Sequence, residues 1–274
     1  MDPRSDRPIP PSLPPREPSV DESKGPPVAV VAEPRQRWRI TFAREPVPVE
    51  QVGRAALDAW QETLVASGLP VAGLEAGGTG RPRIALGAPL PAAMSGAAEL
   101  ADLHLLERRV IWQVREALEP RLPSGYRWVG AEDVWLGAPP LAGRVAAADW
   151  RVELAPVAPS DVERVHAAGR ALLAATELPR TRAKGGQDKR YDLRPLLADL
   201  AIEDDQARSA AGLGSALAVC FRTRIHPELG SGRPEEVVAA LADRAGAALE
   251  AVGIVRTRLV LAEDLIREPA PGDR

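Results

Sequence analysis

The sequence predicts an α+β protein made of two tandem halves of the ferredoxin-like, split βαβ kind, each about 110 residues long. Three observations predict it. Strand-like and helix-like patterns follow one another in the order β-α-β-β-α-β, and the same order then recurs. The 274 residues suit one large domain or two small ones. Hydrophobic residues make up 45% and charged residues 27%, the balance of a chain that buries an ordinary core.

Taken in order, residues 1–34 hold ten of the 28 prolines among Ser, Asp, Glu and Arg, so this segment is expected as a disordered arm. The first half should span residues 35–140. Arg37 to Arg44 (RWRITFAR) alternates with Trp38, Ile40 and Phe42 on one face, the period of a half-buried strand. Val49, Val52, Ala56, Trp60 and Leu64 then predict a helix over 49–67, stopped by Gly68. Strands follow over 83–88 and 99–106, a helix over 108–119 ends before Pro120, and a strand over 126–136 closes the half.

The second half should span residues 141–266. Asp149 to Ala155 reads as a strand, and Ser160-Asp-Val-Glu163 as a capping box opening a helix with Val162, Val165, Gly169 and Leu172 on one stripe. Residues 178–184 and 191–202 predict a hairpin with a basic tip. Ser215 to Arg224 alternates as a strand, Pro234 opens the last helix, and Gly253 should end it before the strand 254–261. Residues 267–274 read as a short disordered tail.

Lys and Arg number 35 against 38 Asp and Glu, a net charge of −3, so bulk electrostatics favour neither nucleic acid nor an anionic membrane. No stretch has the apolar length of a signal peptide core or a membrane span, and a cytoplasmic protein is expected. Cys220 is the lone cysteine, which excludes an intrachain disulfide, a thiolate-held cluster and a zinc site on paired cysteines.

Complete catalytic constellations are absent from the sequence. The glycine run 76–81 leads through Pro82 into a strand rather than through Gly-Lys-Ser/Thr into a helix, which favours a flexible loop over a phosphate cradle. His104, His166 and His226 lack partners at metal-ligand spacing, and no nucleophile elbow surrounds a serine. No cofactor, metal or catalytic residue is therefore expected. One feature exceeds this background: Arg180, Arg182, Lys184, Lys189, Arg190 and Arg194 are offset within their segment only by Asp188 and Asp192. Arg180, Arg182 and Lys184 share a strand face through the two-residue period, a face suited to phosphates or an acidic protein. Its plainer reading is a hairpin kept soluble by its charges. Arg222, Arg224, Arg256 and Arg258 would extend that face if their strands lay side by side.

GRPRIALGAPLP (80–91), AAADWRVELAP (146–156), KRYDLRPLL (189–197), SGRPEEVVAAL (231–241) and IVRTRLVL (254–261) resemble the radical SAM-linked domain, a bacterial domain fused to, or encoded beside, a radical SAM protein. The resemblance covers roughly residues 36–262. It implies a companion module with a radical SAM protein as partner. Where such domains carry a His-Leu-Asp segment this chain has Val49-Glu50-Gln51-Val52-Gly53, and Gly77 to Arg83 replaces an aromatic-Asn-Pro-His-Pro-Arg turn. These departures mark a divergent, non-catalytic member. The function expected is thus an accessory module that docks onto a radical SAM protein or its substrate; the alternative is RNA binding connected with RNA modification or processing. The oligomeric state stays open.

Overall fold

The structure, a computed structural model, describes residues 32–74, 80–184, 187–204 and 216–267, without the side chains of 183, 184 and 187. The expected N-terminal arm thus lies outside the described residues up to position 31, and the expected tail beyond 267. The described residues form a mixed α+β fold built on a large, mostly antiparallel sheet.

The first elements are β1 (Gln36–Arg44), α1 (Arg54–Ser67), β2 (Ile84–Leu86), β3 (Ser95–Leu105), α2 (Ile111–Leu118) and β4 (Tyr126–Val134). Then follow β5 (Val145–Leu154), α3 (Pro159–Ala174), β6 (Pro179–Lys184), β7 (Gln187–Asp192) and β8 (Leu197–Asp204). β9 (Leu217–His226), β10 (Gly230–Ser231), α4 (Pro234–Ala245), β11 (Ala251–Leu261) and α5 (Ala262–Arg267) complete the chain.

The main sheet runs β10-β9-β5-β11-β3-β1-β4, with β2 on β3 and β8 on β9. Two antiparallel groups, β4-β1-β3-β2 and β11-β5-β9-β8, make it up, with the short β10 added antiparallel to the end of β9. They join where β11 runs parallel to β3, with Arg256 opposite Gly96.

Alternation explains the cores. In the first group Trp38, Ile40 and Phe42 of β1 pack with Trp60 and Leu64 of α1 and Val114 and Leu118 of α2. In the second, Trp150, Val152 and Leu154 of β5 and Val219 and Phe221 of β9 meet Val165 and Leu172 of α3 and Val237 and Leu241 of α4. Burying each such side chain contributes about 1.5–3 kcal/mol.

Several expectations are corrected. β1 is not half-buried: Arg37 and Arg39, on the face opposite Trp38, are 3% exposed. Asp102 accepts from both guanidiniums, and Arg37 also donates to the carbonyls of Ala138 (2.7 Å) and Pro139 (3.0 Å), so the connection after β4 covers this face. The helix expected over 49–67 is broken, because Gly53 adopts φ 62 between a short 3-10 turn and α1. α2 starts only at Ile111 and leaves Val110, Ile111 and Trp112 exposed.

Ser160 is not an N-cap. Pro159 takes the first helical position, where its fixed φ suits the helix, and Ser160 bonds to Asp161 instead. The helix opened by Pro234, α4, stops at Gly246, in the left-handed conformation, rather than at Gly253, and a further short helix, α5, follows β11. The hairpin's second arm divides: residues 187–192 pair with β6 as a separate two-stranded sheet, while 197–204 cross to the main sheet. Finally, β9 and β11 are not side by side, since β5 lies between them. Among the described residues no helix is long and apolar enough to cross a membrane.

Candidate functional site

The ten predicted basic residues disperse. With β5 between β9 and β11, Asp199, Arg222, Asp149 and Arg258 fall in one row across four strands, alternating in charge. Asp149 accepts from Arg222 Nε at 2.6 Å and from Arg258 Nε at 3.2 Å. Arg256 departs from this face, because the ladder shifts register between Arg256 and Arg258; it is 2% exposed and pairs with Glu99.

On the hairpin, Arg180 faces α4, where Asp243 (2.5 Å) and Glu236 (3.4 Å) hold it. The Arg182 guanidinium stacks over the Tyr191 ring at 4.9 Å. Arg194 donates to the carbonyls of Leu173, Ala175 and Leu197, fastening the end of α3 to the start of β8. The Lys184 side chain lies outside the described residues. Lys189, Arg190 and Arg224 remain exposed with no ion pair among the described residues; Arg224 donates to the Pro195 carbonyl at 2.9 Å. Cys220 is half-buried beside Arg151, and burial pushes its thiol above the ordinary value.

A second site lies between α1 and the sheet. A cleft of about 600 Å³ is lined by α1 (Ala56, Leu57, Trp60), β2, the connection Gly87 to Leu90 and residues of β1, β3 and β4. Its polar wall is built by register. Tyr126, Arg44, Gly96, Arg256 and Trp150 stand in one row across β4, β1, β3, β11 and β5. Gly96 lacks a side chain there, and Glu99 folds into that space: a Cβ at position 96 would lie 2.4 Å from Glu99 Oε1. The Glu99 carboxylate thereby reaches Arg256, which also donates to the carbonyls of Ala88 (2.8 Å) and Pro89 (3.1 Å).

Arg44 differs from Arg256. It is 5% exposed, donates to the carbonyls of Leu90 (3.3 Å), Pro91 (2.6 Å) and Met94 (3.2 Å), and leaves Nε without a partner. Among the described residues no carboxylate lies within ion-pair distance of it. Burial pushes the guanidinium below its ordinary pKa, while Tyr126 and Glu99 nearby favour the charged form. Burial likewise raises the Tyr126 phenol. A buried cation lacking a counterion is costly, so this wall is electrostatically incomplete. Phe42, Trp60 and Tyr126 form the aromatic wall, with ring centroids 4.9 to 6.2 Å apart.

Sequence reasoning on charge clusters passed over this site. The usable signal is phase: Arg44 continues the apolar series Trp38, Ile40, Phe42, and Glu99 the series Ala101, Leu103, Leu105. A charged residue in phase with a core face points inward.

Among solved structures, the chain is similar to a chain of the archaeal box H/ACA sRNP Nop10-Cbf5 complex, at 11% identity and a TM-score of 0.42, over 81% of this chain. It spans about half of that chain's length, 47%. No curated protein matches in sequence. The family model described as "Uncharacterized protein conserved in bacteria (DUF2344)" matches residues 56–226, more than half of the sequence, and the chain belongs to that bacterial family.

Proposed function

We propose that the chain is a binding module without a reaction of its own, which acts beside a radical SAM protein and docks onto that protein or its substrate. The single observation that carries the surface assignment is the exposure of Lys189 and Arg190 on a hairpin outside the main sheet, with no acidic side chain within ion-pair distance among the described residues. Arg224, exposed and bonded to the loop leading into β8, adds a third such cation. Cations of this kind attract an acidic partner and speed encounter. The resemblance of residues 36–262 to radical SAM-linked domains supplies the partner. The strand orders β4-β1-β3-β2 and β11-β5-β9-β8 support reading residues 35–140 and 141–266 as two ferredoxin-like halves; the place of action in this reading is the cytoplasm.

Co-purification with the radical SAM proteins of the same organism tests this function. A complex at micromolar concentrations, with either protein tagged, is expected, and its absence overturns the proposal. Binding to RNA instead, weakening as salt rises from ~50 to ~200 mM, would assign the same cations to phosphates and replace the docking reading.

A further inference from the structure

We propose that the cavity behind α1 binds a small apolar carboxylic acid as its monoanion. Its volume of about 600 Å³ lies in the range of small-molecule sites. Leu57, Trp60, Ile84, Leu86 and Leu100 give it an apolar lining that favours a hydrocarbon or aromatic body.

Charge fixes the other end of the ligand. Among the described residues the buried Arg44 meets three carbonyls and the Tyr126 phenol but no carboxylate at ion-pair distance, and the nearby Glu99 is paired to Arg256, so the wall carries one positive charge in excess. The N-terminus of α1 meets the same cavity through Gly53 and Arg54, and no side chain caps its free amides. Amides and guanidinium both favour an anion. Glu99, already paired to Arg256, lines the cavity as well and repels a second negative charge. A carboxylate matches this balance; a phosphate dianion does not.

The experiment is calorimetric titration of the full chain with octanoate, cinnamate and naphthalene-2-carboxylate, each matched with its neutral primary amide. At least one acid should bind with a dissociation constant below about 1 mM and at least about tenfold tighter than its amide. Arg44→Gln should bring that acid to the level of its amide. Because this substitution also removes a donor from three carbonyls, Leu86→Trp is the second variant: opposite Ala101 on the core face of β2, it narrows the cavity, leaves Arg44 in place, and should weaken acid and amide alike by about tenfold or more. Saturation by none of the acids, an amide binding as tightly as its acid, or an acid unaffected by Leu86→Trp would each overturn the proposal. No partner protein enters the titration, so its result is independent of the docking reading above.

Discussion

Asp102 offers the sharpest test of how the sheet is held together. Its carboxylate is fully buried and accepts from Arg37 Nε (3.0 Å) and Nη2 (2.5 Å) and from Arg39 Nε (2.8 Å) and Nη2 (3.1 Å). Arg39 has only one further acidic partner among the described residues, the exposed Glu132 at 3.5 Å. Asp102→Asn keeps the shape and removes the charge, leaving two guanidiniums buried together. Removing one member of a buried ion pair costs about 3–5 kcal/mol. For a domain of this size each kcal/mol lowers the melting temperature by about 2–4 °C, so the expected fall is about 6–20 °C. Urea unfolding should give the same loss as a lower midpoint with an unchanged slope. The combined change Arg37→Met, Arg39→Met, Asp102→Leu should recover most of it, because it leaves no charge uncompensated. A loss below about 1 kcal/mol for Asp102→Asn would refute the view that this face is closed to water.

Trp60→Ala should cost about 3–5 kcal/mol in urea unfolding, since the ring is fully buried against Phe42 and Tyr126; Trp60→Phe should cost much less, because the indole N–H has no partner to lose. Gly96→Ala should lower stability by about 2 kcal/mol, because the new methyl displaces Glu99 from Arg256. Burial and the nearby Arg83 and Arg37 hold the His104 pKa below its ordinary 6.5, so the unfolded chain takes up the proton first. The stability from this group is complete above pH 6.5 and declines as pH falls below it; denaturation midpoints at descending pH should show the decline, and His104→Gln should flatten that part of the profile.

Periodicity made most elements legible, since the apolar phase of β1, β5 and β9 is local information. Pro234 and Gly68 marked helix ends for equally local reasons: a fixed φ and a left-handed cap. Placement between strands was not legible. The insertion of β5 between β9 and β11 set Asp149 between Arg222 and Arg258, and the register shift near Thr257 turned Arg256 inward. Both depend on pairing partners more than 70 residues apart in sequence. The burial of Arg37 and Arg39 was hidden for the same reason, because their partner Asp102 and the covering carbonyls lie on distant segments. Of the site between α1 and the sheet, only the inward phase of Arg44 and Glu99 could be read from the sequence; the row that joins them to Arg256 exists only once β11 meets β3.

The most direct test of the proposed role is the affinity of the purified chain for a radical SAM protein from the same organism, the partner the proposal assigns to it, measured for the unaltered chain and for Lys189→Glu, Arg190→Glu, Arg224→Glu combined. These side chains are exposed, so each substitution should alter folding stability by no more than about 0.5 kcal/mol. The account predicts micromolar binding that weakens by at least about tenfold in the triple variant, with melting temperature nearly unchanged. A triple variant that binds as tightly as the unaltered chain, or an unaltered chain that does not bind at all, would contradict it.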